Sequence, residues 1–173
     1  MLLLFSCFYV PPLPADTGET FLGASLSWDL GLRCSLEHRF PGSLGLKAGV
    51  GPSVLLLPFF IADRTVILSQ EALAVIHFSR PLKPFQYGLG LGLPVSGMIW
   101  YPHEVTGERF FSVLLAPGGS FYWGYRSPRG VSYRLWFGAG YPVVYDAGEW
   151  RWGTNQPLGL WWDLDLEVLW PLR

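Results

Sequence analysis

The histidine with a candidate catalytic partner is His77, because Ser79 follows it two residues later. Residues at i and i+2 of a β-strand point to the same face, so the two side chains would lie side by side. A neutral imidazole in that position could take the proton of the serine hydroxyl and make its oxygen a nucleophile. His77 and Ser79 are therefore the candidate catalytic residues, and the chemistry they would support is hydrolysis.

The other histidines and the two cysteines do not suggest a second reactive site. His38 falls in an apolar row, His103 falls in a predicted turn, and Cys7 and Cys34 have no metal-ligand spacing. We therefore expect no metal site and no cofactor, and we expect Cys34 to act as a small apolar residue.

Charged side chains at alternate positions form a second group with possible chemistry. Three carboxylates share one face of the last apolar segment: Asp163, Asp165 and Glu167. Other charged residues occupy the polar rows of earlier segments: Asp29, Arg33, Glu37, Arg39, Arg126 and Arg134. Buried charges are costly unless paired, so we expect these groups to form one ion-pair network if they share an interior.

Residues 21–40 show the pattern that must position these groups. Even positions are almost all apolar, whereas odd positions are Gly, Ser or charged. This period of two predicts a β-strand with one apolar and one polar face. A single strand of that length is far longer than the usual soluble strand of about 5–6 residues, and it favours a strand that crosses a bilayer.

Composition supports a membrane-spanning β-protein. Only 14% of the 173 residues are charged and 17% are aromatic, with 21 Gly and 15 Pro between the apolar stretches. No run of 18 apolar residues predicts a transmembrane helix. A closed β-barrel is the other structure that pairs every backbone group inside a membrane. The net charge of −1 and the lack of a basic stripe argue against nucleic-acid binding.

Turn signals divide the chain into eight alternating segments. They are predicted at 20–40, 43–57, 64–79, 85–95, 109–116, 120–126, 131–145 and 158–170. Eight is the smallest common strand number of membrane barrels, so the predicted fold is an all-β, eight-stranded antiparallel up-and-down transmembrane barrel. Residues 1–18 are predicted to be an apolar leader or extension, and residues 19–173 the barrel.

The polar rows are predicted to face inward and the apolar rows outward. Gly and Ser dominate the polar rows, and bulky rings stand near the ends of the apolar rows. Such rings form girdles at both membrane interfaces of outer-membrane barrels. The predicted interfacial aromatic residues are Trp28, Phe40, Tyr101, Tyr145, Trp150, Trp162 and Trp170.

These features together resemble the small eight-stranded outer-membrane barrels of diderm bacteria, as in the OmpA, OmpX and OmpW families. The resemblance covers residues 20–170 and rests on pattern. The last segment, through Trp170, also resembles the C-terminal signal read by the barrel-assembly machinery, although Pro171, Leu172 and Arg173 follow the terminal aromatic residue. The resemblance implies a multi-pass location in the outer membrane, with membrane lipids, lipopolysaccharide and the assembly machinery as partners.

His77-Phe78-Ser79 resembles the His-x-Ser pair of lipid A deacylases of the PagL type. The chain departs from that family at Arg80, where the family has Asn, and at Leu91, where a Glu is expected. We therefore expect a protein that is not an enzyme and has a structural or surface-interaction role. The loops predicted to carry that role are 80–84 and 146–157.

Three alternatives remain open from the sequence. One is a narrow, porin-like channel for small or apolar solutes, as in OmpW-like barrels. Another is the lipid A deacylase, and the last is a soluble carrier of the lipocalin type with an apolar interior. The direction in which Asp163, Asp165 and Glu167 point distinguishes the inverted barrel from the soluble carrier.

Overall fold

The computed structural model describes residues 18–27, 31–52, 66–78, 84–102, 109–146, 148–152 and 160–172. This part of the chain contains no helix that could cross a membrane. Its ten strands are β1 (Glu19–Ser27), β2 (Gly31–Arg39), β3 (Leu44–Pro52), β4 (Val66–His77), β5 (Phe85–Pro102), β6 (Arg109–Arg126), β7 (Ser132–Gly140), β8 (Val143–Asp146), β9 (Glu149–Trp152) and β10 (Trp161–Leu172).

Eight of these strands close into an antiparallel barrel. Going around the wall, β5, β4, β3, β2, β1, β10, β7 and β6 are neighbours, and pairing between β5 and β6 completes the circle. The β8–β9 hairpin is an addition that pairs with the first half of β6. The prediction of an all-β, eight-stranded antiparallel barrel is confirmed.

The prediction of one long strand over residues 21–40 is wrong, because this segment is the β1–β2 hairpin. Ser27 pairs with Gly31, and Leu22 pairs with Leu36. Three residues separate the two strands, an odd number, so odd-numbered residues face the same side in both strands. The alternation therefore continues through the turn, and the sequence pattern carries no mark of it.

The predicted break at residues 117–119 is also wrong, because β6 passes through it without interruption. Pro117 lies opposite a bulge in β5, between the pairs Gly92–Gly118 and Val95–Ala116. On its other side β6 changes partner there from β7 to β8. The missing proline N–H is tolerated because no regular ladder bond is needed at this point. The predicted segments 109–116 and 120–126 are thus one strand, whereas the predicted segment 20–40 is two strands. The predicted number of eight barrel strands is right because these two errors cancel.

Three further differences from the predicted segments lie at one end of the barrel. β5 extends through Pro102, into the turn predicted at 101–107. The seventh predicted segment is interrupted after Gly140, and the predicted loop 146–157 contains β9. We call this end of the barrel the hairpin end. The opposite end, with the short connections at 40–43 and 127–130, is the turn end.

Most inward side chains are polar and most outward side chains are apolar, although Phe21, Leu73, Val75 and Leu169 are also buried inside. On β10, Asp163, Asp165 and Glu167 are between 2% and 5% exposed, whereas Leu164 and Leu166 are 37% and 60% exposed. In β1 and β2, buried and exposed residues alternate in the same way. This is the orientation expected of the inverted barrel and the opposite of a soluble carrier with an apolar interior.

Candidate functional site: the charged barrel interior

The barrel interior holds most of the charged residues of the described strands. Five carboxylates and four cations are buried: Glu37, Glu71, Asp163, Asp165, Glu167, Arg33, Arg39, Lys47 and Arg134. Each of these nine charged groups lies within 3.3 Å of a group of opposite charge. The ion pairs fall into three groups from the hairpin end to the turn end.

The group nearest the hairpin end joins β2 to β10 across β1. The Arg33 guanidinium forms ion pairs with Asp165 and with Asp163, at 3.3 Å from the latter. The Ser27 hydroxyl donates to the Asp163 carboxylate at 2.7 Å. One arginine therefore holds two adjacent inward carboxylates of the same strand.

The middle group centres on Glu167 and Lys47. The Lys47 ammonium lies 2.9 Å from Glu71 and 3.0 Å from Glu167. Glu167 also accepts hydrogen bonds from the Ser35 hydroxyl at 2.9 Å and from the Trp136 indole at 2.7 Å. Since Lys47 is on β3 and Glu167 on β10, this pair crosses the interior over two intervening strands.

The group nearest the turn end centres on Glu37. Arg134 binds this carboxylate with two nitrogens, one of them at 3.0 Å, and Arg39 donates to it at 2.7 Å. His77 Nε2 lies 3.6 Å from the same carboxylate. Arg134 is on β7 and Glu37 on β2, so this pair also crosses the interior over two strands.

Aromatic side chains fill the space between the ion pairs. The guanidinium of Arg134 stacks 4.5 Å from the Tyr122 ring, and the Lys47 ammonium lies 4.6 Å from the Trp136 ring. Both geometries are those of cation–π contacts. Tyr122 and Trp136 are 4.6 Å apart and almost fully buried. There is room for the Tyr122 ring because the facing residue of β5, Gly88, has no side chain. A Cβ at Gly88 would lie 2.5 Å from this ring.

Seven of the nine predicted network residues lie in this interior. Those inside are Arg33, Glu37, Arg39, Arg134, Asp163, Asp165 and Glu167. Arg126 instead forms a two-nitrogen ion pair with Glu19 at the rim of the turn end, at 3.0 and 3.1 Å. Asp29 lies outside the described residues.

Sequence reasoning missed four members of the network. Lys47 and Glu71 stand on the inward faces of β3 and β4, and Tyr122 and Trp136 on those of β6 and β7. The parity of Lys47 was a usable signal, since it falls in the polar row of its strand. Tyr122 and Trp136 carried the opposite signal, because large aromatic residues usually belong to the outward rows.

The candidate catalytic pair is described only in part. His77 is 6% exposed and faces the interior, where its Nδ1 lies 2.6 Å from the Tyr122 hydroxyl. Ser79 lies outside the described residues. His38 is on the outer face, hydrogen-bonded to Thr20 at 2.9 Å and in edge contact with Phe40.

The predicted interfacial aromatic residues point outward where their side chains are described. Phe40, Trp150, Trp162 and Trp170 are between 42% and 54% exposed, and Tyr145 contacts the Trp150 ring at 5.1 Å. Trp28 and the side chain of Tyr101 lie outside the described residues.

The arrangement as a whole can cross-link the barrel wall from inside. Within the described ranges, no cluster of three or more His, Cys, Asp or Glu side chains could hold a metal ion. No protein-family model matches the chain, and no similar curated protein or solved structure was found.

Proposed function

We propose that this protein is a small integral barrel of a bacterial outer membrane, with a structural and surface-interaction role and a closed interior. The observation that carries the proposal is the inversion of the two faces. Charged and polar residues are buried inside, and the outward rows are apolar and exposed. Contact of such an extensive apolar surface with hydrocarbon is favourable in free energy, whereas its contact with water is unfavourable.

The height of the outward apolar surface approaches that of the apolar band in outer-membrane barrels. Trp162 and Trp170 stand eight positions apart on β10, with Leu164, Leu166 and Val168 facing outward between them. At about 3.3 Å per residue and a strand tilt of about 40°, these rings are about 20 Å apart along the barrel axis. The apolar band of outer-membrane barrels is about 25 Å tall, flanked by aromatic girdles.

The ion pairs that cross the interior favour a closed barrel and argue against an open channel. Lys47–Glu167 and Arg134–Glu37 occupy the cross-section at two levels, and Tyr122 and Trp136 lie between them. Eight-stranded barrels have interiors just wide enough for side chains to fill. A narrow channel would require these contacts to open.

The β8–β9 hairpin is the element best placed for surface interactions. Trp150 and Trp152 are 54% and 72% exposed on one face, and Glu149 and Arg151 stand on the other. Aromatic residues with nearby charges suit the interface between lipid and water. The partners proposed are membrane lipids, lipopolysaccharide and the barrel-assembly machinery, and the proposed role is not catalytic.

The outward cysteine Cys34 offers a direct test of membrane insertion. In a Cys7→Ser background, the protein is placed in lipid nanodiscs and treated with a water-soluble, membrane-impermeant maleimide. We expect Cys34, which is exposed on the outer face of β2, to be shielded by lipid and to stay unlabelled. After denaturation in detergent the same thiol should react fully.

A matched variant controls for the reagent. Arg129 is exposed in the short turn of the turn end, so a cysteine introduced there by Arg129→Cys should be labelled in the nanodisc. Rapid labelling of Cys34 in a folded protein that remains in solution without lipid or detergent would overturn the proposal and favour a soluble carrier.

A further inference from the structure

The outer surface of the barrel carries a groove where β1, β10, β7 and β6 lie side by side. It has a volume of about 590 Å³. Ala24 and Val168, which pair with each other across β1 and β10, have the smallest outward side chains that line it, and we call this pair its floor. Larger side chains form its walls, with Leu26 and Leu166 towards the hairpin end and Trp123 and Tyr133 beside β6 and β7.

The groove has the size and lining of a site for an acyl chain. Small-molecule sites in proteins usually have volumes of about 300–1,000 Å³ and mainly apolar and aromatic walls. In the location proposed above, this surface faces hydrocarbon, where lipid chains are the abundant ligands. The small floor residues between bulky neighbours leave a depression that a flexible chain can occupy in van der Waals contact.

Charge at the turn end indicates the headgroup of that lipid. The groove reaches the pair Tyr125–Tyr133, and one pair further along is Arg126–Ser132, followed by the turn 127–130. Arg126 is engaged by Glu19, whereas the Arg129 side chain is exposed in the turn itself. Arginine binds phosphate oxygens with paired hydrogen bonds, so an anionic headgroup fits this position.

The turn end also indicates which leaflet supplies the lipid. In outer-membrane barrels the short turns face the periplasm and the longer loops face outward. The short turn 127–130 would then lie beside the periplasmic leaflet, which consists of glycerophospholipids. An acyl groove whose end lies one residue pair from a turn with an exposed arginine matches a lipid of that class with a negative charge.

We propose that this groove binds one acyl chain of an anionic glycerophospholipid, with Arg129 at its phosphate. The inference rests on the proposed membrane location and adds to it a specific ligand class and site.

The test uses the full chain in nanodiscs made from equal amounts of phosphatidylglycerol and phosphatidylcholine. The protein is extracted in a mild detergent, and retained lipids are counted by native mass spectrometry. We expect phosphatidylglycerol to be retained about fivefold more than phosphatidylcholine, the effect of one arginine near an anionic headgroup. Arg129→Glu should abolish this preference.

Two matched variants separate the groove from the rest of the outer surface. Val168→Trp places a large ring on the groove floor and should remove retention of both lipids. Val50→Trp places the same ring on the outward face of β3, where Val50 is 53% exposed, and should leave retention as in the unmodified protein.

Equal retention of the two lipids, or retention that survives Val168→Trp, would overturn the inference. A protein dimer that is lost in Val168→Trp would also overturn it, because a second copy would then occupy the groove. These results are distinct from failure of the membrane proposal, in which the protein would not enter nanodiscs and Cys34 would react with the impermeant maleimide.

Discussion

The two faces of β10 occupy opposite environments although their residues alternate along one strand. The inward side chains Asp163, Asp165 and Glu167 are buried, and each contacts a cation from another strand. The outward side chains between Trp162 and Trp170 are apolar, and Leu164 and Leu166 are exposed. Over residues 162–168 this strand therefore has charged side chains in the core and apolar side chains on the surface.

The two faces of β10 are stabilised by different physical effects. The inward face depends on pairing, since an unpaired charge in a closed interior costs several kcal/mol. The stability of the outward face depends on the surrounding solvent, because exposed Leu and Trp side chains are favourable in contact with hydrocarbon and unfavourable in contact with water. Substitutions on the two faces should consequently respond to different conditions.

The largest effect is expected on the inward face, for Glu167→Leu. The change removes the carboxylate that Lys47, Ser35 and the Trp136 indole share. Lys47 would keep only Glu71, and the Ser35 hydroxyl and the Trp136 indole would lose their acceptor, so the free energy of unfolding should fall by about 3–5 kcal/mol. Urea titration in lipid vesicles, followed by tryptophan fluorescence, measures this loss.

Glu167→Gln is the matched control, because it keeps the side-chain shape and an acceptor oxygen while removing the charge. We expect it to lose less stability than Glu167→Leu. If Glu167→Leu proved neutral, and the protein also conducted ions across planar bilayers, the interior charges would be separately hydrated. A narrow channel would then replace the closed barrel.

The next largest effect is expected on the outward face, for Leu166→Arg. Leu166 lies midway between Trp162 and Trp170, so it faces the centre of the proposed apolar band. An arginine at the bilayer midplane of a barrel costs about 2–4 kcal/mol, and near the interface about 0–1 kcal/mol. Leu172→Arg, beyond Trp170 on the same strand, is therefore the matched control.

Both variants are compared by unfolding in lipid vesicles. A cost at position 166 that is no larger than that at position 172 would show that the outward face does not lie against a bilayer. This comparison tests the location of the surface, whereas the Glu167 variants test the pairing of the interior.

The alternation of polar and apolar residues allowed the barrel to be predicted, and the Gly and Ser of the polar rows, with rings near the ends of the apolar rows, allowed the direction of its faces to be predicted. It could not locate the turn between Ser27 and Gly31, because a three-residue connection keeps the same parity on both sides. It could not predict continuity through Pro117, because the bulge in β5 opposite this residue is a feature of the pairing between strands. Local sequence does not encode which residues of a neighbour lie opposite.

The candidate site shows the same limit. Parity identified which charged residues face inward, because a period of two is a local property. The partners within the network depend on register and closure, so Lys47–Glu167 could not be derived from either strand alone. Arg126 has an inward parity but lies in the last pair of the β6–β7 pairing, where it reaches the exposed Glu19 at the rim.

The smallest effect expected is the loss of one hydroxyl, and it tests the comparison at the turn end. Tyr122 faces inward with its hydroxyl 2.6 Å from His77 Nδ1, whereas Tyr133 faces outward and is 50% exposed. Tyr122→Phe leaves the imidazole without this partner in a closed interior and should cost about 1 kcal/mol, the usual net value of a hydrogen bond. Tyr133→Phe should cost about 0 kcal/mol, since the exposed Tyr133 hydroxyl can form its hydrogen bonds with water or lipid headgroups in any state of the protein.

Urea unfolding of both variants in vesicles gives the two values. Equal values would mean that water reaches His77 as easily as it reaches the outer face, and the interior at the turn end would then be hydrated and not closed.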